Sequence, residues 1–229
     1  MKNFLINAIL WVTHVTHKNK RYATPHGKAF ANLGCGLRCL PGWLNVDGSL
    51  TALFGSRRFS FINSILYKLA GASAFYSFQE YDEIIKKNHL LFYDLRNGVP
   101  FFDGSLDVIF TSHLLEHLNE WDGLNFISDC YRTLKSNGIL RILVPNLDFA
   151  MKMYGEGKVD KMLRSFFYTS RHYDFHMHKY NYNFETLKKR LHDAGFKDIQ
   201  KESFQHGECP NIDFLDIYPD HSLYVECRK

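Results

Sequence analysis

Two glycines and a nearby carboxylate form the first group of residues in this chain that could bind a ligand. Gly34 and Gly36 flank Cys35 in N-L-G-C-G (residues 32–36), and Asp47 ends P-G-W-L-N-V-D (residues 41–47). Because glycine has no Cβ, the backbone there can turn sharply and approach a ligand closely. A strand that runs into such a turn, followed by a strand that ends in an acid, is typical of a nucleotide-type cofactor site in an open α/β sheet.

A second carboxylate and a histidine follow later strands. Asp94 lies near the end of L-L-F-Y-D-L (residues 90–95), and Ser112 and His113 come directly after L-D-V-I-F-T (residues 106–111). Ligands of open α/β sheets bind outside the carboxyl ends of the strands, where these residues are expected to converge with Asp47. A carboxylate is a natural bidentate acceptor for a vicinal diol, and a histidine can take up a proton near neutral pH.

Two histidine patterns raise the question of a metal site. His113-Leu-Leu-Glu116-His117 matches the inverted zinc-protease motif H-x-x-E-H. The match lies at the exit of a central strand, however, and no third-ligand glutamate stands out downstream. His172, His176 and His178 lie among tyrosines, which favours aromatic packing or an acceptor pocket over a metal cluster. We therefore expect no metal site.

The elements that must position these residues alternate between strand and helix. Apolar runs bounded by glycine, proline or acids predict seven strands, at 29–33, 43–46, 90–95, 106–111, 139–144, 199–204 and 222–227. Helical spacing predicts two amphipathic helices broken near Gly71, one helix over 124–134 and one over 184–194, whereas 146–182 is expected to be irregular. The order predicts a doubly wound, mostly parallel α/β sheet with an antiparallel terminal strand at one edge.

At this level of detail the chain resembles the class I S-adenosylmethionine-dependent methyltransferases, with a seven-stranded Rossmann-like sheet. The resemblance extends over nearly all of the chain from Ala29 onward. Within the family, the chain is similar to a bacterial branch of the methyltransferase type 11 kind, whose members are often encoded beside polysaccharide biosynthesis and glycan genes. Five segments carry it: N-L-G-C-G (32–36), P-G-W-L-N-V-D (41–47), Y-D-L-R (93–96) with V-P-F-F-D-G-S-L-D-V-I-F-T-S-H-L-L-E-H-L (99–118), Y-R-T-L-K-S-N-G-I-L-R-I-L-V-P-N (131–146), and H-K-Y-N-Y-N-F-E-T-L-K-K-R-L-H-D-A-G-F (178–196).

The resemblance implies S-adenosyl-L-methionine as cofactor, S-adenosyl-L-homocysteine as product, and a role for each matching residue. Asp47 is expected to bind the ribose hydroxyls, and Asp94 the adenine amino group. Asn32 stands where the family often has an acid near the methionine ammonium. The complete set of expected cofactor-binding residues is Asn32, Leu33, Gly34, Cys35, Gly36, Asp47, Asp94, Leu95, Ser112 and His113.

The acceptor side of the reaction rests on two histidines. A methyl group on a sulfonium is already activated, so alignment of the acceptor supplies much of the catalysis. For a hydroxyl acceptor, a general base helps. His113 is the first candidate because it follows the strand whose end faces the methyl group, and His178 is the second because it opens the predicted acceptor-side segment. Both also allow a structural role.

The bulk properties indicate one domain and ordinary globular composition. We expect an N-terminal helical segment (1–28) and a single methyltransferase domain (29–229), with a helical insertion at 48–89 and an acceptor-side segment at 146–182. The net charge of +4 comes without a basic stripe, which argues against nucleic acid. Five cysteines without a C-x-x-C pair indicate reduced thiols and a cytoplasmic location. The apolar run at 4–12 is too short to span a bilayer, but membrane-surface contact through residues 4–15 stays open, as does the oligomeric state.

The predicted function is transfer of a methyl group to a small-molecule or glycan acceptor, with a hydroxyl of a sugar or related metabolite preferred. Oxygen, nitrogen and carbon acceptors all remain possible at this point. A catalytically silent cofactor-binding partner subunit is one alternative. An NAD-dependent Rossmann enzyme is the other, although the missing third glycine and the early position of Asp47 argue against it.

Overall fold

The apolar runs of the sequence form a seven-stranded sheet in the computed structural model, which describes residues 12–55, 58–166 and 177–229. The strands are β1 (Phe30–Leu33), β2 (Leu44–Asp47), β3 (Leu90–Phe92), β4 (Leu106–Ser112), β5 (Leu134–Pro145), β6 (Lys197–Glu202) and β7 (Ser222–Arg228). Their order across the sheet is β3-β2-β1-β4-β5-β7-β6. The doubly wound α/β architecture with an antiparallel terminal strand is confirmed.

The position of the last strand differs from the expected sheet edge. β7 pairs antiparallel with β5 on one side and with β6 on the other, so β6 forms the edge. The sequences of the two strands explain this order, because β7 is buried along almost its entire length whereas β6 is charged and largely exposed. An exposed edge strand rich in charge also discourages pairing with other chains.

Helices cover the sheet and connect its strands. They are α1 (Leu50–Phe54), α2 (Ser60–Leu69), α3 (Phe78–Lys87), α4 (Glu120–Thr133), α5 (Leu147–Gly155), α6 (Val159–Phe166), α7 (Phe184–Asp193) and α8 (Ile212–Leu215). Residues 12–16 are also helical. The prediction that residues 146–182 have no regular structure is wrong where α5 and α6 form. These two helices bury a small separate cluster of Ala150, Met153 and Phe166. Tyr168, His172, Tyr173 and His176 lie outside the described residues, as does most of the apolar run at 4–12.

The two faces of the sheet bury separate cores, as expected of a sheet covered on both sides. The larger core joins β1, β4 and β5 to α4 and α7 through residues such as Phe126, Ile127 and Leu187. The opposite face packs Trp43, Phe110 and Leu143 against Cys209 and Leu215. These faces hold the central strands rigidly, so the residues at the strand ends have fixed positions.

A buried charge network attaches the loop around α8 to β5. The Arg141 side chain is fully buried, and its Nε donates to Asp216 Oδ1 at 2.9 Å while Nη1 donates to Glu226 Oε2 at 3.1 Å. Nη1 also donates to the His206 carbonyl at 2.9 Å. The arginine also donates to the Ser203 carbonyl at 3.3 Å, and its charge compensates two carboxylates that are themselves removed from water.

The helical insertion at 48–89 carries a small core of its own. Leu50, Leu66, Ala72, Tyr81 and Ile85 pack together beside the β2 end of the sheet. A short 3₁₀ turn at Ala72–Ala74 separates α2 from α3, and Gly71 before it has φ +73°. The break near Gly71 thus lies where the sequence predicts it. Within the described residues, no helix is long and apolar enough to cross a membrane.

Candidate active site

The glycine turn after β1 is held by backbone hydrogen bonds to the neighbouring strand. Gly34 and Gly36 have φ of +73° and +52°, and a Cβ on Gly34 would lie 3.0 Å from Leu114 Cβ. The N–H groups of Gly34 and Cys35 donate to the Val46 carbonyl at 2.9 and 3.2 Å. Glycine at position 34 is therefore required both by the positive φ and by the close approach of the segment after β4.

Asp47 at the end of β2 faces the same turn. Its Oδ2 accepts from the Gly36 N–H at 2.9 Å, and its Oδ1 accepts from the Ser49 N–H at 2.8 Å. An ionised carboxylate has about four acceptor positions, so each oxygen keeps capacity for a further donor. These two bonds fix the carboxylate in an orientation that a diol can reach.

Asp94 after β3 is more heavily engaged than Asp47. Arg96 donates to it from its backbone N–H at 3.1 Å and from Nε at 2.9 Å, with a further guanidinium contact from Nη2. His14, from the N-terminal segment, contacts Oδ2 through Nδ1 at 2.9 Å. Burial alone would raise the pKa of Asp94, but the hydrogen bonds and charge of Arg96 hold it below its usual range.

A cavity of about 390 Å³ opens at the carboxyl ends of these strands. Its wall combines the glycine turn, both carboxylates, part of the helical insertion and the segment that follows β4. The lining residues are Gly34, Gly36, Asp47, Gly48, Ser49, Leu50, Leu69, Ala70, Asp94, Leu95, Arg96, His113, Leu114, His117, Leu118 and Lys179. This is the position at which open α/β sheets bind their ligands.

His113 enters the cavity wall directly after β4 with a strained backbone. Its φ is +51°, which is uncommon for a residue with a side chain. Nδ1 lies 3.1 Å from Glu116 Oε1, and Nε2 lies 3.0 Å from the Ser222 hydroxyl. The edge of the ring meets the Tyr218 ring at a centroid distance of 5.1 Å. Because a carboxylate only accepts, Nδ1 carries the proton and Nε2 is the basic nitrogen.

His178 lies behind this wall rather than in it. Its Nε2 is 4.0 Å from Glu116 Oε1, and its ring meets the His117 ring at 5.1 Å. Burial lowers the pKa of His178, while the Glu116 carboxylate acts in the opposite direction. His178 therefore favours the neutral form close to a buried glutamate.

The structure brings some of the expected cofactor residues together and leaves others outside the cavity wall. Gly34, Gly36, Asp47, Asp94, Leu95 and His113 line it. Asn32, Leu33, Cys35 and Ser112 are absent from the lining. Asn32 is buried and donates from Nδ2 to the Arg38 carbonyl at 2.9 Å, which closes the glycine loop. Leu33 is a core residue, and the Cys35 thiol faces Cys39.

Sequence reasoning did not assign a site role to His14, Ser49, Arg96 or Lys179. Arg96 could have been found, because an arginine two residues after an acid in Y-D-L-R can fold back on it. His14 had no such signal, since it approaches Asp94 across 80 residues of chain. Ser49 contributes a backbone N–H, which no side-chain pattern reveals.

Comparison with known proteins agrees with this geometry. A family model described as a methyltransferase domain matches residues 49–201, more than half of the chain. A probable S-adenosylmethionine-dependent methyltransferase of Mycobacterium tuberculosis is 29% identical over 109 residues, which are 48% of this chain and 33% of that protein. One of Mycolicibacterium smegmatis is 37% identical over 57 residues, or 23% of this chain and 21% of that protein. The chain thus spans no more than about a third of the curated relatives it matches.

The fold itself is shared with solved structures. An S-adenosylmethionine-dependent methyltransferase from Archaeoglobus fulgidus superposes with a TM-score of 0.50 at 18% identity, covering 99% of this chain and 94% of that one. At this identity the likeness concerns the fold alone. The glycine turn alone is compatible with S-adenosylmethionine or with NAD as cofactor, and the family match favours S-adenosylmethionine. Together with the cavity at the strand ends, it establishes that the chain belongs to the methyltransferase domain family, whose cofactor is S-adenosylmethionine.

Proposed function

We propose that this chain transfers the methyl group of S-adenosylmethionine to a hydroxyl of a small-molecule or glycan acceptor, with a sugar or a related metabolite as the preferred class. The observation that supports a hydroxyl acceptor is the contact between His113, in the cavity wall, and the buried carboxylate of Glu116 behind it. Its geometry leaves a basic Nε2 already in contact with one hydroxyl, that of Ser222, at 3.0 Å. An acceptor hydroxyl that displaces the Ser222 hydroxyl from His113 Nε2 would form its hydrogen bond to the same nitrogen.

In this proposal the strand ends hold the cofactor. The backbone at Gly34 and Gly36 faces the methionine and ribose parts, and Asp47 accepts from the ribose hydroxyls. Asp94 and the Leu95 backbone face the adenine. Arg96 and His14 already occupy the acceptor positions of Asp94. We therefore expect the adenine amino group to displace His14, whose ring is the more loosely held of the two partners.

The chemical step is a displacement at the methyl carbon. The acceptor oxygen forms a bond to the methyl group as the carbon–sulfur bond breaks, and the sulfonium becomes the neutral thioether of S-adenosylhomocysteine. The hydroxyl proton passes to His113 Nε2. Glu116 accepts from Nδ1–H throughout, which fixes the tautomer and stabilises the imidazolium that forms.

An aromatic surface next to His113 supports a sugar-like acceptor. The Tyr218 ring is 52% exposed, meets the His113 ring edge-on and stacks on His221 at a centroid distance of 5.2 Å. A half-exposed ring beside a polar group can bind the apolar face of a sugar while its hydroxyls reach the histidine. The expected acceptor position is therefore against the exposed part of Tyr218, next to His113.

The test is a methyl-transfer screen with labelled S-adenosylmethionine against nucleotide-sugars and short glycans. We expect oxygen-linked methyl groups, and a His113→Gln variant should lose about 100-fold or more in kcat while it still binds S-adenosylhomocysteine. His26→Gln, at an exposed residue that does not line the cavity, is the matched control and should leave the rate unchanged. Methyl groups found on nitrogen or carbon would overturn the hydroxyl assignment. Cofactor binding without transfer to any acceptor would favour the silent partner subunit.

A further inference from the structure

We propose that Glu116, His117 and His178 form a binding site for one divalent transition-metal ion of the zinc class at the acceptor end of the cavity. One ligand atom from each residue lies within 4.8 Å of the others. Zinc bonds of about 2.0–2.1 Å place tetrahedral ligand atoms roughly 3.4 Å apart. Small rotations of the two imidazole rings would bring the three ligand atoms to that separation.

The tautomer of His117 suits a metal ligand. Its Nδ1 lies 3.2 Å from the Met177 carbonyl, which can only accept, so Nδ1 carries the proton. Nε2 is then left with a lone pair. A histidine that donates one ring N–H to a backbone carbonyl and binds a metal through the other nitrogen is the usual arrangement in metal sites.

Glu116 supplies the negative charge that such a site needs. Its side chain is fully buried, and Oε1 accepts from His113 Nδ1 at 3.1 Å. Oε2 has no hydrogen-bond partner among the residues that the structure describes. Within the same residues, neither lysine nor arginine forms an ion pair with this carboxylate, and the ionisable side chains beside it are the histidines His113 and His178. Burial of a carboxylate is costly without a compensating charge, and a divalent cation supplies one.

His178 completes the set from the other side of Glu116. Its side chain is only 10% exposed, and its Nε2 lies 4.0 Å from Glu116 Oε1. The next residue, Lys179, donates its backbone N–H to the Glu116 carbonyl at 2.7 Å. That bond fastens the segment that carries His178 to the segment that carries Glu116 and His117, so the three side chains meet although about sixty residues separate them in sequence.

The arrangement differs from that of the H-x-x-E-H motif. In that pattern His113 and His117 would be the two histidine ligands. Here His113 contacts Glu116 and Ser222 instead, and the second histidine is His178. His113 becomes a positioning residue for the site, because its Nδ1–H holds one oxygen of Glu116 and leaves the other for the ion.

Two histidines and one glutamate leave a coordination position open, as in catalytic zinc sites. His117 lines the cavity, so that position is expected to face the acceptor. A bound hydroxyl would lose its proton more readily, and that proton would pass to His113 Nε2. This role rests on the proposed function, whereas binding of the ion does not.

The experiment uses the full chain, stripped with EDTA and titrated with Zn²⁺ by calorimetry and with Co²⁺ by visible absorption. We expect one equivalent of metal with a Kd near or below about 1 μM. His178→Gln and His117→Gln should each weaken binding by about 100-fold. His192→Gln, whose ring is 80% exposed on α7, is the matched control and should leave binding unchanged.

A parallel titration with S-adenosylhomocysteine separates the two proposals. Stoichiometric cofactor binding with no saturable metal binding, or with metal binding that His178→Gln and His192→Gln reduce equally, would overturn the metal site and leave the methyltransferase proposal intact. Metal binding without cofactor binding would do the reverse. Circular dichroism checks the fold of each variant, and the zinc equivalent and cobalt spectrum of the unaltered protein test the site even where a variant does not fold.

Discussion

Substitution of Gly34 by alanine tests whether the glycine turn and the segment after β4 form one packed unit. The added Cβ would meet three atoms of Leu114 at 3.0, 3.1 and 3.2 Å, at a backbone φ of +73°. Leu114 follows His113 and lines the cavity. The added methyl group must therefore displace Leu114, and with it part of the cavity wall, or move the turn away from Leu114.

The expected free-energy change has two parts. A residue with a side chain in the left-handed region costs roughly 1–2 kcal/mol. Overpacking against Leu114 adds about 1–3 kcal/mol. Gly104→Ala is the matched control, because its φ of +57° carries the first cost while its Cβ would meet nothing within 4 Å. The difference between the two variants isolates the contact with Leu114.

Urea denaturation followed by circular dichroism measures the stability, and calorimetry measures S-adenosylhomocysteine affinity. We expect Gly34→Ala to lose roughly 2–5 kcal/mol of unfolding free energy and Gly104→Ala roughly 1–2 kcal/mol. Affinity should fall about tenfold or more in Gly34→Ala and stay unchanged in Gly104→Ala. Equal losses of stability in both variants, with the same affinity, would refute the packing argument.

Three further predictions concern the charges and thiols. Asp216→Ala removes one partner of the buried Arg141 and should destabilise the fold by about 3–5 kcal/mol in urea denaturation, and a change under 1 kcal/mol would contradict the network. Because the pKa of Asp94 is lowered in the fold, its ion pair with Arg96 should stabilise the protein above the ordinary aspartate pKa and lose that effect as the pH falls through the folded value. Asp94→Asn should therefore lower Tm at pH 7 more than at pH 3, and an equal loss at both would argue against the ion pair. All five cysteines are buried, so a thiol reagent should modify them only after denaturation, and rapid reaction of the native protein would disprove this.

The strands could be predicted from the sequence because their cause is local. The runs before Asp47 and Asp94 are apolar and bounded by turn residues, and parallel strands must then bring both acids to one edge of the sheet. The turn at Gly34 and the break at Gly71, where both glycines have a positive φ, are indicated by glycine at the end of a predicted strand or helix. Such features depend on a few neighbours along the chain.

The features that sequence reasoning missed depend on contacts between distant segments. β7 lies inside the sheet because its side chains suit burial better than those of β6, which is a comparison between two strands rather than a property of either. Arg141 would count against a buried strand until Asp216 and Glu226 are placed beside it. The approach of His178 to Glu116 likewise arises only once the chain has folded back.

The central claim is that the cavity at Gly34, Gly36 and Asp47 holds S-adenosylmethionine, and calorimetric titration with S-adenosylhomocysteine tests it most directly. We predict one bound molecule per chain, and a loss of about 100-fold or more in affinity for Asp47→Ala, because two hydrogen bonds to a charged group contribute roughly 1.5–3 kcal/mol each. Asp103→Ala, which removes a carboxylate that is 78% exposed, should bind like the unaltered protein. A titration of the unaltered protein without heat, or full affinity in Asp47→Ala, would contradict the account.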